Sequence, residues 1–74
     1  MHTSRHHRKC RSNGGSSSFS NISRVDAKQH ESWHNLFGNA EPRVIADIIN
    51  RTWIDPDFEF ICQRKSDRRY MEET

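Results

Sequence analysis

A small α+β domain is the fold this 74-residue sequence predicts: a β-hairpin with a long loop, a helix packed on it, and an additional C-terminal helix. Three observations predict it. Two short strand-like stretches flank the Gly/Ser-rich run NGGSSSFS at residues 13–20, which reads as a flexible loop. A helical stretch from Ala27 to Phe37 is bracketed by a capping Asp26 and a terminating Gly38. Beyond Glu41-Pro42, the residues Val44, Ile45, Ile48, Ile49 and Trp53 recur at helical period.

Taken in order, residues 1–5 read as a frayed, disordered N-terminus, and His6–Ser12 as a short strand entering the loop. Asn21–Val25 (NISRV) alternates apolar and polar residues with β-branched side chains, the pattern of a half-buried strand. Trp33, Leu36 and Phe37 give the first helix its apolar contacts. The second helix, about 42–53, has Pro at its first position, where the missing N–H is harmless, and stops at Asp55-Pro56-Asp57. FEFIC, residues 58–62, alternates and reads as a short strand or an extended arm. Residues 6–62 form a single domain on this reading, and 63–74 a charged tail. Trp33, Phe37, Ile45, Ile48, Ile49 and Trp53 are the expected core. Trp53 has an interface as its alternative, because so little else is available to bury.

Composition narrows the function classes. Only 31% of residues are apolar and the mean hydropathy is −1.08, so the chain buries little and calls for a metal, a disulfide or a partner. No apolar run approaches a membrane span. No hydrophobic stretch follows the positive N-terminus, so a cytoplasmic location is expected, with Cys10 and Cys62 as free thiols; a single disulfide in an exported protein, or Cys10 as an extra metal ligand, ranks below that. The net charge of +2 is uneven. Residues 1–30 carry six basic groups against Asp26 alone, a balance of +5; residues 31–74 carry six basic and nine acidic groups, a balance of −3. A basic face suits a polyanion.

Four imidazoles fall within residues 6–34. His6 and His7 are adjacent, and His30 and His34 stand four apart on the expected helix. An i,i+4 pair points both rings to one side of a helix, as two ligands of one ion require. A third ring from a neighbouring strand can close the site, and a fourth beside it can stay off the metal and serve as a base.

The segment HHRKCRSNGGSSSFSNISRVDAKQHESWH resembles the HNH endonuclease motif, the ββα-metal finger. His7 to Asn21 is 14 residues and Asn21 to His30 is nine, both intervals matching the common form of the pattern. Arg11-Ser12-Asn13-Gly14-Gly15 matches its RSxGG stretch, and the HxxxH pair of His30 and His34 resembles that of colicin-type nucleases. Cys10 stands where the family often has Pro, and the chain has no CxxC knuckle.

The resemblance implies His6, His30 and His34 as ligands of one divalent ion (Mg, Mn, Ni or Zn). It implies His7 as the general base and Asn21 as the residue that fixes the loop and orients that base. It implies DNA as partner and substrate, cut to 5′-phosphate and 3′-hydroxyl ends. Arg5, Arg8, Lys9, Arg11 and Arg24 are then natural phosphate contacts. The alternative is a non-catalytic nucleic-acid- or protein-binding module on the same finger, such as a small phage accessory or inhibitor protein. A homodimer or a protein partner is compatible with either. Plainer readings stand beside these: His6-His7 as a basic tail, His34 as a core histidine beside Trp33, Asn21 as a turn residue, Gly14-Gly15 as a linker.

Overall fold

The structure, a computed structural model, describes residues 2–67. The chain divides into two compact units, Met1–Glu41 and Pro42–Thr74, where the sequence reading draws one domain across 6–62. The small α+β class holds: a two-stranded antiparallel sheet with helices. No helix among the described residues is long and apolar enough to cross a membrane.

The N-terminal unit is a hairpin followed directly by a helix. Strand β1 (Thr3–His7) pairs antiparallel with β2 (Ile22–Asp26), in the register Thr3↔Asp26, Ser4↔Val25, Arg5↔Arg24, His6↔Ser23 and His7↔Ile22. Ala27 N–H donates to the His2 carbonyl at 3.0 Å and extends the ladder by one step. Two expectations are corrected here. Residues 3–5 are paired strand rather than a disordered end, and β1 stops at His7 rather than running to Ser12. Residues 8–21 are claimed by the loop's own bonds, so pairing begins where those end. Asn21, read as the first residue of its strand, lies in a 3₁₀ turn, Phe19–Asn21.

Both loop glycines are required. A 3₁₀ turn at Arg11–Asn13 ends on Gly14 at φ 90°, in the left-handed region. Gly15 donates to the Cys10 carbonyl at 2.9 Å, and a Cβ on it would collide with the Lys9 carbonyl and lie 2.9 Å from that of Cys10.

Helix α1 spans Ala27–Phe37, as the sequence predicts. The Asp26 carboxylate accepts from Lys28 N–H at 3.1 Å and Gln29 N–H at 3.2 Å, pairing two donors that the first turn leaves free. At the other end Gly38 adopts φ 56° and donates its N–H to the His34 carbonyl at 2.8 Å.

In the C-terminal unit, helix α2 (Pro42–Ile48) continues as a π-helical turn over Ile49–Trp53, so the predicted helical extent is kept with a widened last turn. Asp47 and Arg51 pair at 2.9 Å one turn apart, both largely exposed, an arrangement that contributes only about 0.3–0.5 kcal/mol. The Asn50 side chain exchanges two hydrogen bonds with the Phe60 backbone: it accepts from Phe60 N–H at 2.8 Å and donates to the Phe60 carbonyl at 2.9 Å. Residues 58–62 are therefore tied to the second helix at Phe60 and form no strand. Lys65–Asp67 makes a 3₁₀ turn. The remainder of the expected tail, residues 68–74, lies outside the described residues, as does Met1.

No described residue is fully buried. Trp33, Phe37, Ile45, Ile48 and Ile49 are half-buried, with the Trp33 and Phe37 rings 4.6 Å apart. Trp53 is 59% exposed, which corrects its place in the expected core. A unit of about forty residues has too little interior to enclose large side chains on every side.

Candidate metal centre

Strand β1 and helix α1 bring three imidazoles to one place. The pleat sends Ser4 and His6 to one face of β1 and Arg5 and His7 to the other. His30 and His34 project one turn apart from α1. The His6 ring meets His30 edge-on at a centroid distance of 5.0 Å and His34 at 6.0 Å, and Trp33 closes its other side at 6.0 Å. The two helix rings lie 4.7 Å apart, with their Nε2 atoms 2.9 Å from each other. One nitrogen from each of His6, His30 and His34 falls within 4.8 Å of the other two.

Those distances fit one ion. Nitrogens bound to a single zinc at about 2.05 Å stand about 3.3 Å apart in a tetrahedron and at most about 4.1 Å apart in any geometry. The His30–His34 pair, at 2.9 Å, is within about 0.4 Å of that spacing. The widest pair, within 4.8 Å, has to close by up to roughly 1.5 Å to reach the tetrahedral spacing, a movement within the reach of side-chain rotation. His6 also favours neutrality. Burial pushes the His6 pKa below its ordinary 6.5, and the neighbouring charges of His30, His34, His7 and Arg8 push it the same way. An unprotonated ring is the form that ligates.

His7 is not part of this cluster. Its Nε2 lies 3.2 Å from Ser17 Oγ, yet the ring lines a cleft of about 250 Å³ together with His30 and His34. Arg5, Cys10 and Arg11 line the same cleft. Of the other expected phosphate contacts, Arg24 is exposed directly across the sheet from Arg5. Arg8 reaches the Ser20 carbonyl at 3.5 Å, and the Lys9 side chain lies over Gly14.

Asn21 ties the loop shut. Its Oδ1 accepts from Lys9 N–H at 2.8 Å, and its Nδ2 donates to the Lys9 carbonyl at 3.0 Å and to the Ser16 carbonyl at 2.7 Å. Its own carbonyl accepts from Arg8 N–H at 2.8 Å. The residue thus holds the backbone immediately after His7. Asn13 adds a second tie, donating to the Asn39 carbonyl just past α1 at 2.9 Å.

Two neighbours of the site are absent from the sequence-based set. Ser17 touches His7, and Ser4 Oγ lies 2.6 Å from His30 Nδ1. A signal for Ser4 was present: it stands two residues before His6, so on a strand the two share a face. Ser17, in a run of serines, had none. Comparison of the chain with family models, curated proteins and solved structures finds no match.

Proposed function

We propose that the N-terminal unit is a ββα-metal finger and that the protein is a metal-dependent HNH-type endonuclease hydrolysing phosphodiester bonds in DNA. The observation that carries this reading is the convergence of His6, His30 and His34, two of which, His30 and His34, also line a cleft with a fourth imidazole, His7, and with Arg5 and Arg11. A bound divalent ion supplies positive charge against the phosphoryl oxygens, where charge builds during hydrolysis. Three imidazoles with no carboxylate suit zinc or nickel better than magnesium.

The protein's own groups do the rest. Neutral His7 takes the proton of the attacking water. Asn21, by closing the loop on Lys9 and Ser16, holds the chain that carries His7. Arg5 and Arg11, on the cleft wall, pair with phosphate oxygens and place the scissile bond. These contacts read no base, so binding is weakly sequence-selective and falls steeply with salt, by a log–log slope of about −0.9 per neutralised phosphate.

One observation favours a second reading, a non-catalytic module with a protein partner. Trp53, Phe58, Phe60 and Ile61 of the C-terminal unit stand 59%, 68%, 59% and 78% exposed, the kind of apolar surface that partners cover. Plasmid nicking with Mg, Mn, Ni and Zn separates the two readings. The nuclease reading expects nicking with at least one ion, lost in His7→Ala with metal affinity nearly kept, and lost in His30→Ala together with the metal. Absence of nicking with every ion, alongside capture of a protein partner and no DNA binding at low salt, would overturn it.

A further inference from the structure

We propose that Ser4 is the positioning residue of the metal centre: its hydroxyl accepts the Nδ1 proton of His30 and so presents Nε2 of that ring, lone pair free, to the ion. The inference rests on the metal-site reading above and adds a residue to it.

The geometry carries it. Ser4 Oγ lies 2.6 Å from His30 Nδ1, the shortest side-chain hydrogen bond among the described residues. The opposite nitrogen of the same ring, Nε2, is the one that stands 2.9 Å from His34 Nε2. His30 is thus held at both ends, by a hydroxyl from the hairpin and by its fellow ligand from the helix. A neutral imidazole carries one N–H and one lone pair, so what fixes the proton on one nitrogen frees the other. Ser4 shares its strand face with His6, two residues on, and is half-buried against α1.

The chain of bonds Ser4–His30–His34 has two self-consistent proton arrangements. In one, Ser4 donates to Nδ1 and His30 donates from Nε2 to His34. In the other, His34 donates to His30 Nε2, and His30 donates from Nδ1 to Ser4. Only the second leaves His30 Nε2 as an acceptor, and only it carries over to a metal-bound ring. When an ion takes the place of the shared proton, His34 shifts that proton from Nε2 to its own Nδ1, while the His30–Ser4 bond stays as it was. No proton is lost from the pair. In that second arrangement Ser4, as acceptor, holds His30 in the tautomer that ligation needs, a role that outer partners of metal-bound histidines commonly fill.

The test is zinc titration of the full chain, wild type against Ser4→Ala and Ser4→Thr, with the ring-nitrogen chemical shifts of His30 recorded in zinc-free and zinc-loaded protein. Three results are expected together. Wild-type His30 carries its proton on Nδ1 with and without zinc. Ser4→Ala binds zinc about 10- to 100-fold more weakly and shows a mixture of His30 tautomers. Ser4→Thr, which keeps the hydroxyl on a β-branched residue suited to a strand, restores both. Unchanged backbone shifts of β2 in Ser4→Ala show that the hairpin is intact; should they change, Ser4→Thr and the wild-type tautomer decide alone. Zinc affinity equal in wild type and Ser4→Ala, or a wild-type His30 proton on Nε2, overturns the role of Ser4 while leaving the metal site standing. Failure of wild-type protein to bind zinc or nickel at all overturns the metal reading, and this proposal with it.

Discussion

Asn21→Ala should loosen the loop more than any other single truncation in it. The side chain makes three hydrogen bonds, one from Lys9 N–H and two to the Lys9 and Ser16 carbonyls, all between 2.7 and 3.0 Å. Each such bond contributes about 0.5–1.5 kcal/mol net. The groups are partly exposed, so water replaces some of what is lost, and the lower half of the range applies. About 2 kcal/mol is expected, a melting shift on the order of 10 °C for a domain of this size. Asn21→Asp is the sharper probe because it keeps the shape. Its carboxylate still accepts from Lys9 N–H, but both donors are gone and a charged oxygen faces two carbonyls. At pH 7 it should be at least as destabilising as Asn21→Ala. Below about pH 4 the protonated acid regains one donor and part of the loss. Thermal melts of the three proteins, with exchange of the Lys9 amide, measure this. An Asp variant as stable as wild type at pH 7, or Lys9 exchange unchanged in the Ala variant, would refute the clamp.

Three further outcomes are expected. Gly15→Ala should destabilise by about 1–3 kcal/mol, since the added methyl meets the Lys9 and Cys10 carbonyls; a urea midpoint equal to wild type would contradict it. Asp26→Ala should lose about 1 kcal/mol by freeing the Lys28 and Gln29 amides, and Asp26→Asn should restore most of it in the same melts. The metal-free protein should weaken in mild acid. Burial, then the charges of His30, His34, His7 and Arg8, lower the His6 pKa below 6.5. The unfolded chain therefore takes up the proton first. The contribution is complete above pH 6.5, declines as pH falls from there, and levels off below the folded pKa. His6→Gln should flatten that slope, and an unchanged slope would count against it.

How much of this was legible depends on how local the signal was. Helix α1 could be read to the residue because each end is marked by one residue, the capping side chain of Asp26 and the permissive backbone of Gly38. His30 and His34 could be paired because helical period alone brings them together. The hairpin register could not be read that way. His6–Ser12 alternates as plausibly as Thr3–His7, and the choice is made by Asn21, which withdraws residues 8–21 from pairing through bonds that span twelve positions. FEFIC has strand alternation without a partner strand; the side chain of Asn50 takes the partner's place at Phe60. The strand face that Ser4 shares with His6 was legible, but its partner His30 is 26 residues away and was not.

The weak interior and the proposed metal site are two aspects of one arrangement. The N-terminal unit has no fully buried residue among those described, and the groups where α1 meets the hairpin are largely imidazoles: His6 against His30, His34 and Trp33, and Ser4 against His30. Without an ion, that junction is held by ring edges and one side-chain hydrogen bond, Ser4–His30, whose direction depends on where the proton sits. With an ion, one strand residue and two helix residues share a single centre, and the binding free energy becomes folding free energy of the unit. Ligand truncation should therefore not behave like ordinary surface mutation. His30→Ala removes a ligand and the partner of Ser4 together, so its loss of stability should be larger in zinc than in chelator. Trp33→Ala, which removes apolar contact with His6 and Phe37, should destabilise to a similar extent in both. The difference between those two responses, read from melts with and without zinc, separates a unit organised by a metal from one organised by packing.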